Sequence, residues 1–430
     1  MIENAYINIW DKLVGAIHWN PDSGIADFEF DPGFLQYMLD VAPLKMPTAK
    51  AKGQIFSFPN LAGSSTFKGL PGLLADILPD RYGNALINAW LARVGRPSGS
   101  MNPVEMLCFT GKRGMGALEF EPVVPKSANQ ASKVEIGSLA EVAQQILSGR
   151  QFFQTDLSHD EQKALSDILK IGTSAGGARA KAVIAYNPET GEVRSGQAQA
   201  PEGFSHWLLK FDGVDDSQFG ATSGYGRVEM AYYLMAVDCG IEMMECSLIE
   251  ENKRAHFMTR RFDRLANNEK LHVQTFCAMM HYDFNDIYSY SYEQLFQTMR
   301  ILRLTYPEAE QMFRRMVFNV MAQNCDDHTK NFAFTMTQLG EWRLAPAYDV
   351  CHAYRPGSVW VSQHSLSING KRQAVTRDDL LEVGRKMNVK KAPIIVQQIS
   401  ETVAKWNEYA EQVKVEAKLR GAIGETLLIL

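Results

Sequence analysis

No run in the 430-residue sequence approaches the roughly eighteen apolar residues that a membrane-spanning helix needs, so none is expected. The chain begins Met1-Ile2-Glu3-Asn4-Ala5, without a basic and apolar leader, and the expectation is a protein that is neither secreted nor membrane-bound. Its six cysteines, at 108, 239, 246, 277, 325 and 351, form no C-x-x-C pair and keep no regular spacing. Neither a zinc site nor a disulfide framework is suggested, and a reducing cytoplasm fits. The formal net charge of -5 leaves no excess of basic residues for a large nucleic-acid-binding surface, although a local basic patch is compatible with it. Internal repeats, low-complexity tracts and an added helix-turn-helix at either end are all lacking. What remains, 46% hydrophobic and 22% charged residues, describes a soluble globular protein. At about 150 residues per domain, the length suggests two or three lobes.

The chemistry is concentrated in Asn324-Cys325-Asp326-Asp327-His328-Thr329-Lys330-Asn331-Phe332, followed by Leu344-Ala345-Pro346-Ala347-Tyr348-Asp349. Asp326 and Asn331 stand five apart, the spacing of the Asp and Asn in the catalytic loop of protein kinases, and Asp349 follows eighteen residues after Asn331. Phosphoryl transfer is stabilised mainly by position and charge, so its site needs hard oxygen ligands for Mg²⁺ and one carboxylate beside the attacking hydroxyl. These three residues supply such a set. A polar helix end followed by a hairpin would account for the Asp and Asn alone, because both are common there. His328, Lys330 and the Tyr348-Asp349 pair weigh against that simpler account.

Taken in order, segments 5–10 and 13–19 predict a β-hairpin around Asp11-Lys12, with a further strand at 28–30. Apolar spacing from Leu70 predicts a helix broken at Pro79 and a second over 85–94, ending near Gly95. Residues 122–133, with two Pro and two Ser, read as a linker, and 139–147 as an amphipathic helix. Ser158-His159-Asp160-Glu161 has the form of a capping box for a helix to about 170. The glycine-rich loop at 172–181 fits neither G-x-x-x-x-G-K-[ST] nor G-x-G-x-x-G, so it is no Walker or Rossmann loop. Its small residues would still let backbone amides approach phosphate oxygens, and a plain tight turn is the alternative. Strands are expected at 182–186 and 206–211, the latter carrying Lys210, and a helix at 228–239 carrying Glu229. A hairpin over 246–250 and 256–262 turns at Asn252-Lys253. Met312, Met316, Val317, Val320 and Met321 recur at helical spacing over 308–323, a core stripe rather than a cofactor box. Strands are predicted at 331–337 and 342–344, a strand and turn at 366–371, and helices near 377–387 and 392–420.

The strings Asp-x-His-x-Lys-Asn (326–331) and Leu-x-Pro-x-Tyr-Asp (344–349), in this order, resemble the HipA family of serine/threonine kinases, the toxin halves of bacterial toxin-antitoxin pairs. The helix break at 73–81, the segment Gly114-Met115-Gly116-Ala117-Leu118, the string Arg261-Phe262-Asp263-Arg264 and Leu366-Ser367-Ile368-Asn369-Gly370-Lys371 extend the resemblance over nearly the whole chain. Against the family's phosphate loop, Gly177-Ala178-Arg179-Ala180-Lys181 has Arg in place of Gln, and Gly176 stands in place of Ala. Arg260 stands where a glutamate is often found.

The resemblance implies an α+β fold of the two-lobed protein-kinase type, with a mixed N-terminal lobe and a mostly helical C-terminal lobe. The expected divisions are 1–122, a HipA N-terminal-like subdomain; 135–265, the rest of the N-terminal lobe; and 266–430, the helical C-terminal lobe. It implies ATP and Mg²⁺, with Asp326 as base, Asn331 and Asp349 as metal ligands, and His328 and Tyr348 beside the nucleotide. Gly176, Gly177, Ala178, Arg179, Ala180 and Lys181 would cradle phosphates, Lys210 would neutralise them, with Glu229 as its partner by analogy, and Arg260, Arg261 and Phe262 would hold adenine through main-chain groups. Ser174, with Thr173 as runner-up, matches the serine that family members phosphorylate on themselves as an off-switch. The expected partners are a small HipB-like DNA-binding antitoxin, operator DNA mainly through it, and a protein substrate such as an aminoacyl-tRNA synthetase, whose phosphorylation would inhibit translation and growth. Two other readings stay open: a small-molecule or lipid kinase, and a non-catalytic corepressor bound to an antitoxin. The second is disfavoured by the presence of all of Asp326, Asn331, Asp349 and Lys210.

Overall fold

The structure is a computed structural model that describes residues 2–121, 179–196, 199–214 and 223–430. The expected linker at 122–133, the helices between 139 and 170, and Thr173, Ser174, Gly176, Gly177 and Ala178 lie outside the described residues. Contacts divide the chain into two compact units. The first takes Met1–Gly226, Ser247–Val273 and Gln338–Gly340, and the second takes Arg227–Cys246, Gln274–Thr337 and Glu341–Leu430.

The first unit opens with the expected hairpin, β1 (Asn4–Ile9) and β2 (Lys12–Asn20), joined by Trp10 and Asp11, both left-handed with φ of 48° and 60°. Two positive-φ residues match a turn to the twist of its flanking strands, so the turn sits one residue earlier than expected. With β3 (Ile25–Phe30), β4 (Ile55–Phe56) and β5 (Leu118–Glu121) these form an antiparallel sheet of order β4-β3-β2-β1-β5. Alternate residues Ala5, Ile7 and Ile9 on β1 and Ala26, Phe28 and Phe30 on β3 are buried, the two-residue period of a sheet with one covered face. Helix α1 (Gly72–Ala75) stops before Pro79, and α2 (Arg81–Arg93) starts where the Asp80 carboxylate accepts from the Gly83 amide at 2.7 Å. Helix α3 (Pro103–Thr110), not foreseen, is buried at all eight positions.

The same unit holds a second sheet, β7-β6-β8-β10-β9, built from β6 (Lys181–Tyr186), β7 (Val193–Ser195), β8 (Ser205–Lys210), β9 (Cys246–Glu251) and β10 (Arg254–Arg260). Asn252 and Lys253, both at positive φ, make the turn between β9 and β10.

The second unit is mainly helical. Helix α4 (Tyr225–Asp238), whose first two residues belong to the first unit, is terminated by Gly240 at φ 71°. After β11 (His272–Thr275), whose last two residues belong to this unit, come α5 (Phe276–Met280), α6 (Tyr292–Ile301) and α7 (Tyr306–Met321). On α7 the stripe Met312, Met316, Val317, Val320 and Met321 is completely buried. Burying each such side chain contributes on the order of 1.5–3 kcal/mol, so α7 is a rigid floor for the loop at its C-terminal end. Glu308 closes the N-terminal cap of α7 by accepting from the Thr305 amide at 2.7 Å, and its other oxygen accepts from the Leu344 amide at 2.8 Å. One carboxylate therefore ties the helix to β13 (Trp342–Leu344), which pairs with β12 (Ala333–Met336).

Two expectations require correction. Residues 366–371 contain the expected turn, at Asn369 (φ 49°) and Gly370 (φ 79°), but no strand: the segment makes only the isolated bridges Ser367–Ser291 and Ile368–Lys371. The predicted long helix over 392–420 is three helices, α9 (Ala392–Val403), α10 (Trp406–Gln412) and α11 (Ala417–Gly424), following α8 (Arg377–Lys386). Lys414 at φ 61° is incompatible with helix continuation and separates the last two.

Candidate active site

The segment after α7 is shaped by a chain of buried polar groups. Gln323 at φ 52° breaks the helix, and the Asn324 side chain donates to Asn319 Oδ1 at 3.0 Å. Asn319 donates to Tyr292 Oη at 2.9 Å, and Tyr292 donates to Asp327 Oδ2 at 2.8 Å. Asp327 also accepts from His364 Nδ1 at 3.0 Å and from the Ser365 amide at 2.7 Å. Burial alone would lower the His364 pKa, but the Asp327 carboxylate overrides it, with help from Cys325, and holds it at about 10. Asp327 is thus a fully satisfied anchor, which sequence reasoning passed over. Its one signal was the Asp-Asp pair: when one of two adjacent carboxylates is locked inward, the other is presented outward. Asp326 has a side chain 40% exposed.

The loop ends in a short turn, Thr329–Asn331, in which the Asn331 amide nitrogen of the side chain donates to the Asp326 carbonyl at 2.6 Å. That bond fixes the Asn331 side chain, and among the described residues no donor reaches its Oδ1. Tyr348 Oη donates to the Lys330 carbonyl at 2.7 Å, which draws the second string onto the first. Asn331, Tyr348 and Asp349 line one cavity together with Asp327, Arg315, Asn319 and Asn324. Asp349 sits at φ 56°, a left-handed conformation that Asp and Asn tolerate better than most residues. His328 Nε2 lies 3.9 Å from Asp326 Oδ1, and its ring packs 5.3 Å from Phe284. Lys330 Nζ stands 4.8 Å over the same Phe284 ring, a clamp invisible in the sequence.

The donor set decides which metal fits. One carboxylate, Asp349, and one amide oxygen, that of Asn331, are hard ligands suited to Mg²⁺, which takes one or two protein oxygens and completes its shell with water and phosphate. Among the described residues no cluster of three or more His, Cys, Asp or Glu could hold a metal, so a zinc-type site has no support there.

The remaining candidates lie in the first unit. Lys181 and Lys210 face each other directly across β6 and β8, and Phe257 pairs with Lys210 from β10. Directly opposed residues share a face, and like charges there repel. Asp80 compensates one of them: its Oδ2 lies 3.4 Å from the buried Lys181 Nζ. Lys210 Nζ is 5.8 Å from the Phe257 ring centroid. The Arg179 guanidinium lies 5.0 Å over the Tyr225 ring, and the buried Ala180 accepts from the Phe211 amide at 3.1 Å. Glu229 is buried on α4 of the second unit. Arg260 is exposed and Phe262 half-buried. Arg261 is buried, its side chain bonded to Asp263 at 2.8 and 2.7 Å and its amide to the His206 carbonyl at 2.9 Å. Asp263 receives Arg264 at 2.7 Å and the Gly116 amide at 2.7 Å, and both arginines donate to the Gly114 carbonyl. Gly116, at φ 79° with Val273 N only 3.0 Å from where a Cβ would stand, can approach this carboxylate because it has no side chain. Burial pushes the Asp263 carboxyl up, and the two guanidiniums overcome that and hold it well below the usual carboxylate range.

Two family models match the chain: HipA N-terminal domain over residues 5–121 and HipA-like C-terminal domain over residues 173–408. Among solved structures it is similar to HipA of Shewanella oneidensis MR-1, determined with HipB and its operator DNA. The TM-score is 0.64 at 15% identity, over 98% of this chain and 94% of that one, and this likeness shows the fold: two-lobed, α+β and HipA-like. The Helicobacter pylori proinflammatory kinase CtkA matches with a TM-score of 0.34 and 12% identity over 58% of this chain and 92% of its own, too low to carry an argument. No curated protein sequence matches this chain. With the C-terminal model alone spanning more than half of the sequence, the chain belongs to the HipA family.

Proposed function

We propose that the protein is an ATP- and Mg²⁺-dependent serine/threonine protein kinase of the HipA toxin type. The observation that carries this reading is the Asn331 side chain, pinned to the Asp326 carbonyl, with Asn331 and Asp349 lining the same cavity. Asp326, outward and next to His328, takes the proton of the attacking hydroxyl as general base. Asn331 and Asp349 hold Mg²⁺, which when bound neutralises charge on the ATP phosphates. Lys210 and the segment 176–181 receive the phosphates, Lys181 supporting that segment through Asp80. His328 and Tyr348 stand beside the nucleotide. The main chain of Arg260, Arg261 and Phe262 is assigned to adenine, and the Arg261 amide, bonded to the His206 carbonyl, holds that segment in place. The reading divides the chain into functional regions at 1–122, 135–265 and 266–430.

All six cysteines are free and buried, which supports a cytoplasmic location, and among the described residues no helix is long and apolar enough to cross a membrane. The proposed partner is a HipB-like antitoxin that brings the protein to operator DNA. The proposed substrate is a protein of the translation apparatus such as an aminoacyl-tRNA synthetase, and its phosphorylation would slow growth and favour persistence. Ser174, with Thr173 second, is the proposed autophosphorylation site: a phosphate there adds about -1.5 to -2 charge beside ATP and switches the enzyme off. Mass spectrometry of enzyme incubated with Mg-ATP should find that phosphate, and Ser174→Asp should bind ATP more weakly than wild type. Transfer of the γ-phosphate of labelled ATP to protein in a lysate, absent with Asp326→Asn, tests the main reading. Label entering only metabolites would instead establish a small-molecule kinase.

A further inference from the structure

Arg315 lies on α7 among the residues that line the cavity shared by Asp327, Asn331, Tyr348 and Asp349. Its side chain is buried, and its Nε and Nη2 have no hydrogen-bond partner. The other polar groups on this wall are satisfied: Asn324 bonds to Asn319, Asn319 to Tyr292, and Asp327 to Tyr292, His364 and Ser365. Burial lowers the Arg315 pKa to about 10, against the opposing effect of Glu242 and Tyr348, so it is charged at neutral pH. Glu242 favours the charged form, but buried guanidinium donors that no acceptor satisfies still cost stability. The cavity, of about 10 Å³, has room for about one water and is lined by Arg315, Asn331 and Asp349 alike.

We propose that Arg315 is a positioning residue for the metal-binding segment, donating across this cavity through one bridging water and so holding Asp349 in its left-handed conformation with its carboxylate directed to the metal. This rests on the phosphoryl-transfer reading above. It assigns Arg315 no contact with substrate.

The test uses the full chain, Mn²⁺ and a non-hydrolysable ATP analogue, with binding followed by calorimetry and melting measured in parallel. Arg315→Met keeps the length and apolar stem but removes the charge and donors. The expected result is a melting temperature equal to or above wild type, with Mn²⁺-dependent analogue binding at least tenfold weaker, and a smaller loss for Arg315→Lys. A purely structural arginine would give the opposite pattern, a lowered melting temperature with unchanged binding by the folded protein. Binding by Arg315→Met within twofold of wild type, or failure of both variants to fold, overturns the assignment. Asp349→Asn is the control that separates the two claims. If wild type shows no Mn²⁺-dependent binding, the phosphoryl-transfer reading fails; if Asp349→Asn loses binding while Arg315→Met keeps it, only the role of Arg315 fails.

Discussion

Arg261 and Arg264 in the first unit and Arg315 in the second are all buried guanidiniums, and they are satisfied in opposite ways. The first two share Asp263 and the carbonyl of Gly114, so every charge in that triad has a partner. Arg315 faces a cavity with two donors unpaired. The triad ties the end of β10 to residues 114–116, about 150 residues earlier in the chain, and maintains architecture. Two buried donors without acceptors, on a residue lining the same cavity as the proposed metal ligands, maintain no architecture by themselves.

The largest effect expected from breaking this contrast is at Asp263. Asp263→Ala leaves two guanidiniums buried without a counter-charge and should destabilise the first unit by about 3–5 kcal/mol, read as a lower urea midpoint. A loss under about 1 kcal/mol would show that water takes over the carboxylate's role. At Arg315 the sign reverses, because Met there removes an unsatisfied charge: stability should hold or rise while metal-dependent nucleotide binding weakens.

A third, intermediate case sharpens the comparison. His364 and Asp327 are a buried pair in which the histidine pKa is raised to about 10. A raised folded-state value means that the protonated form contributes stability fully below about pH 6.5, the unfolded value, and that this contribution is lost as pH rises towards 10. The urea midpoint of wild type should therefore fall between about pH 6.5 and 10, within which Cys325 and Arg372 also face the pair. His364→Asn should start lower, because Asp327 loses a donor, and fall less steeply across that window. Identical slopes would place the titration elsewhere. The smallest effect belongs to the solvent-exposed pair Arg343–Glu341, 3.5 Å apart with side chains 68% and 58% exposed. Arg343→Ala should leave the melting temperature unchanged within error, since water and salt screen such pairs.

The same contrast separates what the sequence discloses from what it hides. The helix break at Pro79, the end of the helix before Gly240, the turn at Asn252-Lys253 and the methionine stripe of α7 are local, and each was legible. So was the string 326–331 on which the proposed function rests, because its residues are nearly consecutive. Helix α3 escaped because all eight of its positions are buried, which leaves no amphipathic period to detect. The bonds of Asp263 to Gly116 and of Asp327 to His364 join residues 147 and 37 apart, and no spacing rule links them. Arg315 stands next to the core stripe of α7, and nothing in its local sequence marks it as buried.

The proposed phosphoryl transfer depends most directly on a division of labour between Asp326 and Asp349. Both should become inactive as Asn variants without unfolding, since neither substitution changes volume appreciably and the left-handed backbone at Asp349 suits Asn as well as Asp. Calorimetric titration with Mg-ATP, alongside phosphoryl transfer by the same preparations, separates their roles. Asp326→Asn should bind Mg-ATP nearly as wild type yet transfer no phosphate, whereas Asp349→Asn should lose metal-dependent binding together with transfer. Wild-type transfer by Asp349→Asn, or loss of nucleotide binding in Asp326→Asn, would contradict that division.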